Sequence, residues 1–172
     1  MSFDIFLQTC HLSDQTVEDV NPITGKRVHK VVGETVTETE RETLKKLIAS
    51  KGADAPDEFG CYVITFADGS ATELYFEGLS DDAEFSGGVV TLHEPSEELT
   101  QFLYSLAEGG NLGILTETEA GKIVVTSNEN AQLVEPRFPG AIVISSPEAL
   151  HLILGRGFDH WIAYRDRVFD DS

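Results

Sequence analysis

Phe3, Ile5 and Leu7 alternate with Ser2, Asp4 and Phe6, and this period of two predicts a strand with one apolar face at the start of the chain. Residues 11–36 show no sustained periodicity. Asn21-Pro22 marks a turn and Thr24-Gly25-Lys26 a loop, so the stretch reads as a long connection. A helix follows: Thr37 or Thr39 can cap it, Glu40 or Glu42 three residues on can close a capping box, and Leu44, Leu47 and Ile48 form its apolar stripe up to a stop at Gly52. The β-rich runs Tyr62 to Phe66 and Leu74 to Phe76 flank Asp68-Gly69 and predict a hairpin. A polar loop from Gly78 to Glu84 then leads past Gly87-Gly88 into a strand, Val89 to His93.

Ser96 caps a second helix with Glu97 and Glu98 in its first turn and Leu99, Phe102, Leu103 and Leu106 on one face, ended by Gly109-Gly110. Leu112 to Thr116 and Lys122 to Thr126 form a further hairpin around Glu119-Ala120-Gly121. Residues 127–140, polar and containing Pro136 and Pro139, read as loop, and Ala141 to Ile144, apolar on both faces, as a central strand. Ser146-Pro147 opens a third helix that Gly155 ends, and the tail 156–172 is left open between a strand and a helical turn. Hairpins mixed with helices, without regular alternation, favour one α+β domain over residues 1–172: a mainly antiparallel sheet of about five to seven strands with three helices packed on it.

The strings M-S-F-D-I-F-L and F-G-C-Y-V-I-T-F-A-D-G-S, then L-Y-F, a helix ending in E-G-G and the A-I-V-I strand resemble an uncharacterised family of small bacterial proteins. The likeness covers residues 1–9 and, more loosely, 43–155. It implies a bacterial, cytoplasmic α+β domain and carries over no catalytic residues.

Composition narrows function mainly by exclusion. The chain holds 12 basic and 30 acidic side chains, a formal charge of −18, which disfavours nucleic acid and an anionic membrane surface because both recruit Lys and Arg. No run approaches the about 20 apolar residues of a membrane span, and the first residues lack the basic start of a secretion signal, so a cytoplasmic location is expected. Cys10 and Cys61 have no C-x-x-C spacing, and the five histidines have no metal spacing; Cys10-His11 and Asp159-His160 are adjacent pairs whose side chains diverge on a strand. Gly155-Arg156-Gly157 follows its helix, where the carbonyl pole repels phosphate. Among 30 acids no acid/base pair stands out, and Asp81-Asp82-Ala83-Glu84 lacks the twelve-residue calcium loop. Tyr62, Phe66, Tyr75 and Phe76 read as core and cross-strand pairs. No catalytic residue, metal ligand or cofactor is assigned, and the balance leans away from an enzyme.

The charge is unevenly placed. Residues 1–51 carry 7 basic and 8 acidic side chains and residues 122–172 carry 5 and 7, whereas residues 52–121 hold 15 acids and no Lys or Arg. That block contains the best hairpin and the best amphipathic helix, so its acids belong on the outside of folded elements. A folded surface of one sign draws basic partners, and solubility is the plainer explanation. The expected function is a non-enzymatic, acidic protein-binding module, with neutralisation of a basic protein as one such role and Asp81, Asp82, Glu84, Glu94, Glu97 and Glu98 as partner-binding candidates. The alternative is a small enzyme or ligand-binding domain with a site built from the polar loops 78–88 and 127–140 and the tail.

Overall fold

The computed structural model describes residues 3–20, 25–53, 55–81, 83–116 and 122–170. The order is β1 (Phe3–Thr9), β2 (Leu12–Val20), β3 (Arg27–Gly33), α1 (Glu38–Ala49), β4 (Cys61–Thr65), β5 (Ala71–Tyr75), β6 (Gly87–Leu92), α2 (Glu97–Gly109), β7 (Leu112–Leu115), β8 (Ile123–Val125), α3 (Asn128–Val134), β9 (Ile142–Val143) and α4 (Pro147–Asp170). This is an α+β fold. Seven strands form one sheet in the order β4-β5-β6-β1-β7-β8-β9, antiparallel except for the parallel pair β8–β9, and β2–β3 form a separate two-stranded sheet.

The alternation at the start of the chain builds the centre of the sheet. Phe3, Ile5 and Leu7 of β1 are buried among Leu44 and Ile48 of α1, Leu99, Phe102, Leu103 and Leu106 of α2, and Leu150, Ile153 and Leu154 of α4. The capping box resolves to Thr37: its hydroxyl accepts from Glu40 N–H, and the Glu40 carboxylate accepts from Thr37 N–H. The β4–β5 hairpin closes as expected around Asp68-Gly69, with Gly69 at φ 86, the left-handed region where glycine is at home. Gly87 is also fixed by space, because a Cβ there would run into the Leu7 carbonyl of the neighbouring strand.

Four elements differ from the sequence reading. Residues 11–36 are not a plain connection but contain the β2–β3 hairpin, rooted by Glu34 N–H donating to the His11 carbonyl at 2.8 Å. Among the described residues the hairpin pairs only with itself, and its register shifts between Leu12 and Thr16, which interrupts the period of two. Within 127–140, α3 occupies Asn128–Val134, capped by Ser127; of its seven residues only Asn130 and Val134 are buried, too few for an apolar stripe. Residues 142–143 form an edge strand rather than a central one, its apolar character explained by Ile144, which enters the core just beyond it, while Val143 stays exposed.

Finally, Gly155 does not end the third expected helix. As the fourth helix, α4 continues to Asp170 and settles the tail. Aromatic packing carries it onward: Phe158 meets Phe3 edge-on at 6.3 Å and stacks on Trp161 at 5.6 Å. The turns at Asn21-Pro22 and Glu119-Ala120-Gly121 lie outside the described residues.

Candidate functional site

The acids of residues 52–121 lie on the outside. Of the eleven that are described, ten are exposed and Glu73 is half-buried. The partner-binding candidates divide into two groups along the sheet. Asp81 and Glu84 precede the N-terminal end of β6, and Glu94, Glu97 and Glu98 follow its C-terminal end, a strand of six residues spanning about 20 Å. Asp82 lies outside the described residues.

Both groups have local structural partners. Buried Arg41 of α1 donates to the carbonyls of Gly78, Leu79, Asp81 and Ala83, which shapes the polar loop and leaves the Asp81 and Glu84 carboxylates outside. At the other end, Glu98 Oε2 accepts from Ala67 N–H at 2.9 Å, and hydrogen bonds from the Ser70 hydroxyl and N–H hold the nearby Asp68 carboxyl below its ordinary range. The loop lines a cleft of about 360 Å³ with Glu77, Asp81, Glu84 and Ser86, to which neither 127–140 nor the tail contributes.

The sequence reading missed a polar network under α3. His11 Nε2 lies 2.9 and 3.2 Å from the two carboxylate oxygens of Glu40, Asn111 Nδ2 donates to Glu40 Oε1 at 2.5 Å, and Asn130 Nδ2 donates to Asn111 Oδ1 at 3.3 Å. Asn111 can reach because it sits at φ 47, a left-handed conformation that asparagine tolerates. Burial pushes the Glu40 carboxyl upward, but the hydrogen bonds from Asn111, His11 and Thr37 outweigh it and hold the group below its ordinary range. The ionised carboxylate thus ties the end of β1, the start of α1, the α2–β7 turn and α3 together.

Cys10, next to His11, is no nucleophile. It is fully buried with Ile123, Val125 and Val134, and burial, aided by the Glu40 charge, pushes its thiol up to about 12. Cys10 and Cys61 are both free thiols. Among the described residues no group of three or more His, Cys, Asp or Glu side chains could hold a metal ion, and no helix is long and apolar enough to cross a membrane.

An exposed apolar feature lies on the sheet face opposite α1, α2 and α4. Directly paired residues share a face, so the register Cys61↔Tyr75, Tyr75↔Val89, Phe6↔Val89 and Phe6↔Leu115 defines one row crossing five strands. Toward β8, α3 and its following segment cover this face through Val134, Ala131 and Phe138. Toward β4, Phe6 is 48%, Tyr75 42% and Val63 60% exposed, although Cys61 at the end of the row is buried.

Beside that row runs a second, Val63↔Glu73↔Thr91↔Asp4, which places two carboxylates next to the aromatic side chains. Thr91 donates to Asp4 at 2.9 Å and the Tyr75 hydroxyl donates to Glu73 at 2.9 Å. That bond to Glu73 pushes the Tyr75 phenol up to about 12, so it remains a donor. Strands β1, β4, β5 and β6 contain no Lys or Arg. Tyr62, Phe66 and Phe76 are core, as expected, whereas Tyr75 is not. The parity of Leu74-Tyr75-Phe76, and of Phe6 against Ile5 and Leu7, was the available signal.

No protein-family model, curated protein or solved structure matches the chain.

Proposed function

We propose that the protein is a non-enzymatic binding module whose docking surface is the open half of the outer sheet face, and that its partner is a basic protein with an apolar ridge. The observation that carries this reading is the row Tyr75, Val89 and Phe6 running beside Asp4 and Glu73. Strand spacing puts Phe6 about 10 Å from Tyr75, with Val89 between them. Apolar anchors supply most of the free energy of such a contact, and the carboxylates select the sign of the partner and accelerate encounter. The acids at both ends of β6 extend the same negative field around the face.

Paired capture from the native host at low salt tests this, using the wild-type chain and the double variant Phe6→Asp, Tyr75→Asp. The expected result is a basic protein recovered in a 1:1 complex by the wild type and lost from the variant, with an association rate that falls as salt rises. Identical recoveries by the two baits, or no basic protein with either, would contradict the reading.

A further inference from the structure

A cleft of about 370 Å³ lies between the first turns of α2 and α4, on the side of the molecule that carries the helices and apart from the outer sheet face. Its volume falls within the range of small-ligand sites, about 300–1,000 Å³. Pro147 and Leu152 form its apolar wall, with Leu152 68% exposed, and Glu97, Glu148, Gln101 and His151 supply its polar groups.

One hydrogen-bond chain fixes the chemistry of that histidine. The Thr100 hydroxyl donates its only hydrogen to the Ser96 carbonyl at 2.6 Å, so at 3.1 Å from His151 Nδ1 its oxygen accepts and Nδ1 is the donor. Thr100 is buried, which protects this bond from water. In the neutral ring the other nitrogen, Nε2, then carries a lone pair, and it has no partner among the described residues. Glu148 is held in its ionised form by hydrogen bonds from its own backbone N–H and from Ser146. With that ring neutral, the cleft presents two carboxylates and an imidazole lone pair beside an aliphatic wall, and among the described residues no cationic side chain lines it.

We infer that the α2–α4 cleft binds a cation carried on an aliphatic stem, an alkylguanidinium or alkylammonium, with the head group on Glu97, Glu148 and His151 Nε2 and the stem against Pro147 and Leu152. An ion without a stem leaves the apolar wall wet, and an anion meets like charge. The same head group and stem can belong to a free small molecule or to an arginine side chain on a polypeptide.

The test is a titration of the full chain, followed through the His151 ring protons by NMR, with agmatine for the free source and N-acetylarginine amide for the polypeptide source. Guanidinium chloride serves as the stemless control and potassium chloride as the control for ionic strength. Saturable His151 shifts with at least one stemmed probe, at least about tenfold weaker with guanidinium and weakened by a similar factor in Glu97→Gln, Glu148→Gln, are expected. The tighter of the two stemmed probes identifies the source. Both glutamates are exposed, so the variant keeps its fold, and its near-UV spectrum verifies this. The absence of saturation by either stemmed probe up to about 10 mM, equal binding of guanidinium, or undiminished binding by the folded variant would overturn the inference.

Discussion

The two halves of the outer sheet face follow one register but meet different fates. On β7 and β8, Leu115, Ile123 and Val125 are covered by Val134 of α3 and by Phe138 beyond it; on β4, β5 and β1, Val63, Tyr75 and Phe6 of the same surface are exposed, and Val89 of β6 between them is half-buried. The covered half has no carboxylate among its cluster residues, whereas the open half places Asp4 and Glu73 beside its apolar row. A face that served only solubility would not need Phe6 and Tyr75, and a face that served only the core would not carry the acids. The open half is where carboxylates and exposed aromatic side chains lie side by side.

The largest effect of a single substitution is expected in the covered half. Ile123→Ala, at a fully buried site, should lower stability by about 3 kcal/mol in a urea titration, because it leaves a cavity that α3 cannot fill. A loss below about 1 kcal/mol would mean that α3 seals nothing.

The network that seats α3 comes next in size. Glu40→Gln should lower stability by about 1–2 kcal/mol at neutral pH, by weakening bonds to His11, Asn111 and Thr37. Because the folded-state pKa of Glu40 is depressed, its contribution is full above the ordinary carboxylate range and fades as pH falls through the folded value. The difference between wild type and variant should therefore shrink in acid; a difference independent of pH would remove the ionised carboxylate from the account.

On the helical face, Gly155→Ala should raise stability by about 0.5–1 kcal/mol, read as a rise in Tm, since a Cβ at this position in the helix meets nothing within 4 Å. A loss of stability there would contradict a continuous α4. Phe6→Ala should have the smallest effect, within about 0.5 kcal/mol, because the side chain is already half in water. If it destabilised as much as Ile123→Ala, the open half would be core.

Much of the scaffold was legible where one side of an element faces a core. The parity of Phe3, Ile5 and Leu7, the stripe of α2 and the Asp68-Gly69 turn all express that asymmetry. Other elements went unread: the register of β2–β3 shifts between Leu12 and Thr16, α3 hides two side chains, and α4 passes through Gly155 because of aromatic contacts 155 residues apart in sequence, between Phe3 and Phe158. The candidate surface was half legible. Acids could be counted from the chain, but only the pairing of β6 with both β1 and β5 brings Phe6 and Tyr75 to either side of Val89. The Glu40 network joins residues as far apart as 11 and 130, a proximity that local periodicity does not encode.

Hydroxyl-radical footprinting of the free chain and of its complex with the captured basic partner would show whether the outer sheet face is the docking surface. Phe6 and Tyr75, both labelled in the free protein, should become several-fold less reactive in the complex, while Leu152 on the helical side keeps its reactivity. Unchanged labelling of Phe6 and Tyr75 in a verified complex would place the interface elsewhere and contradict the account.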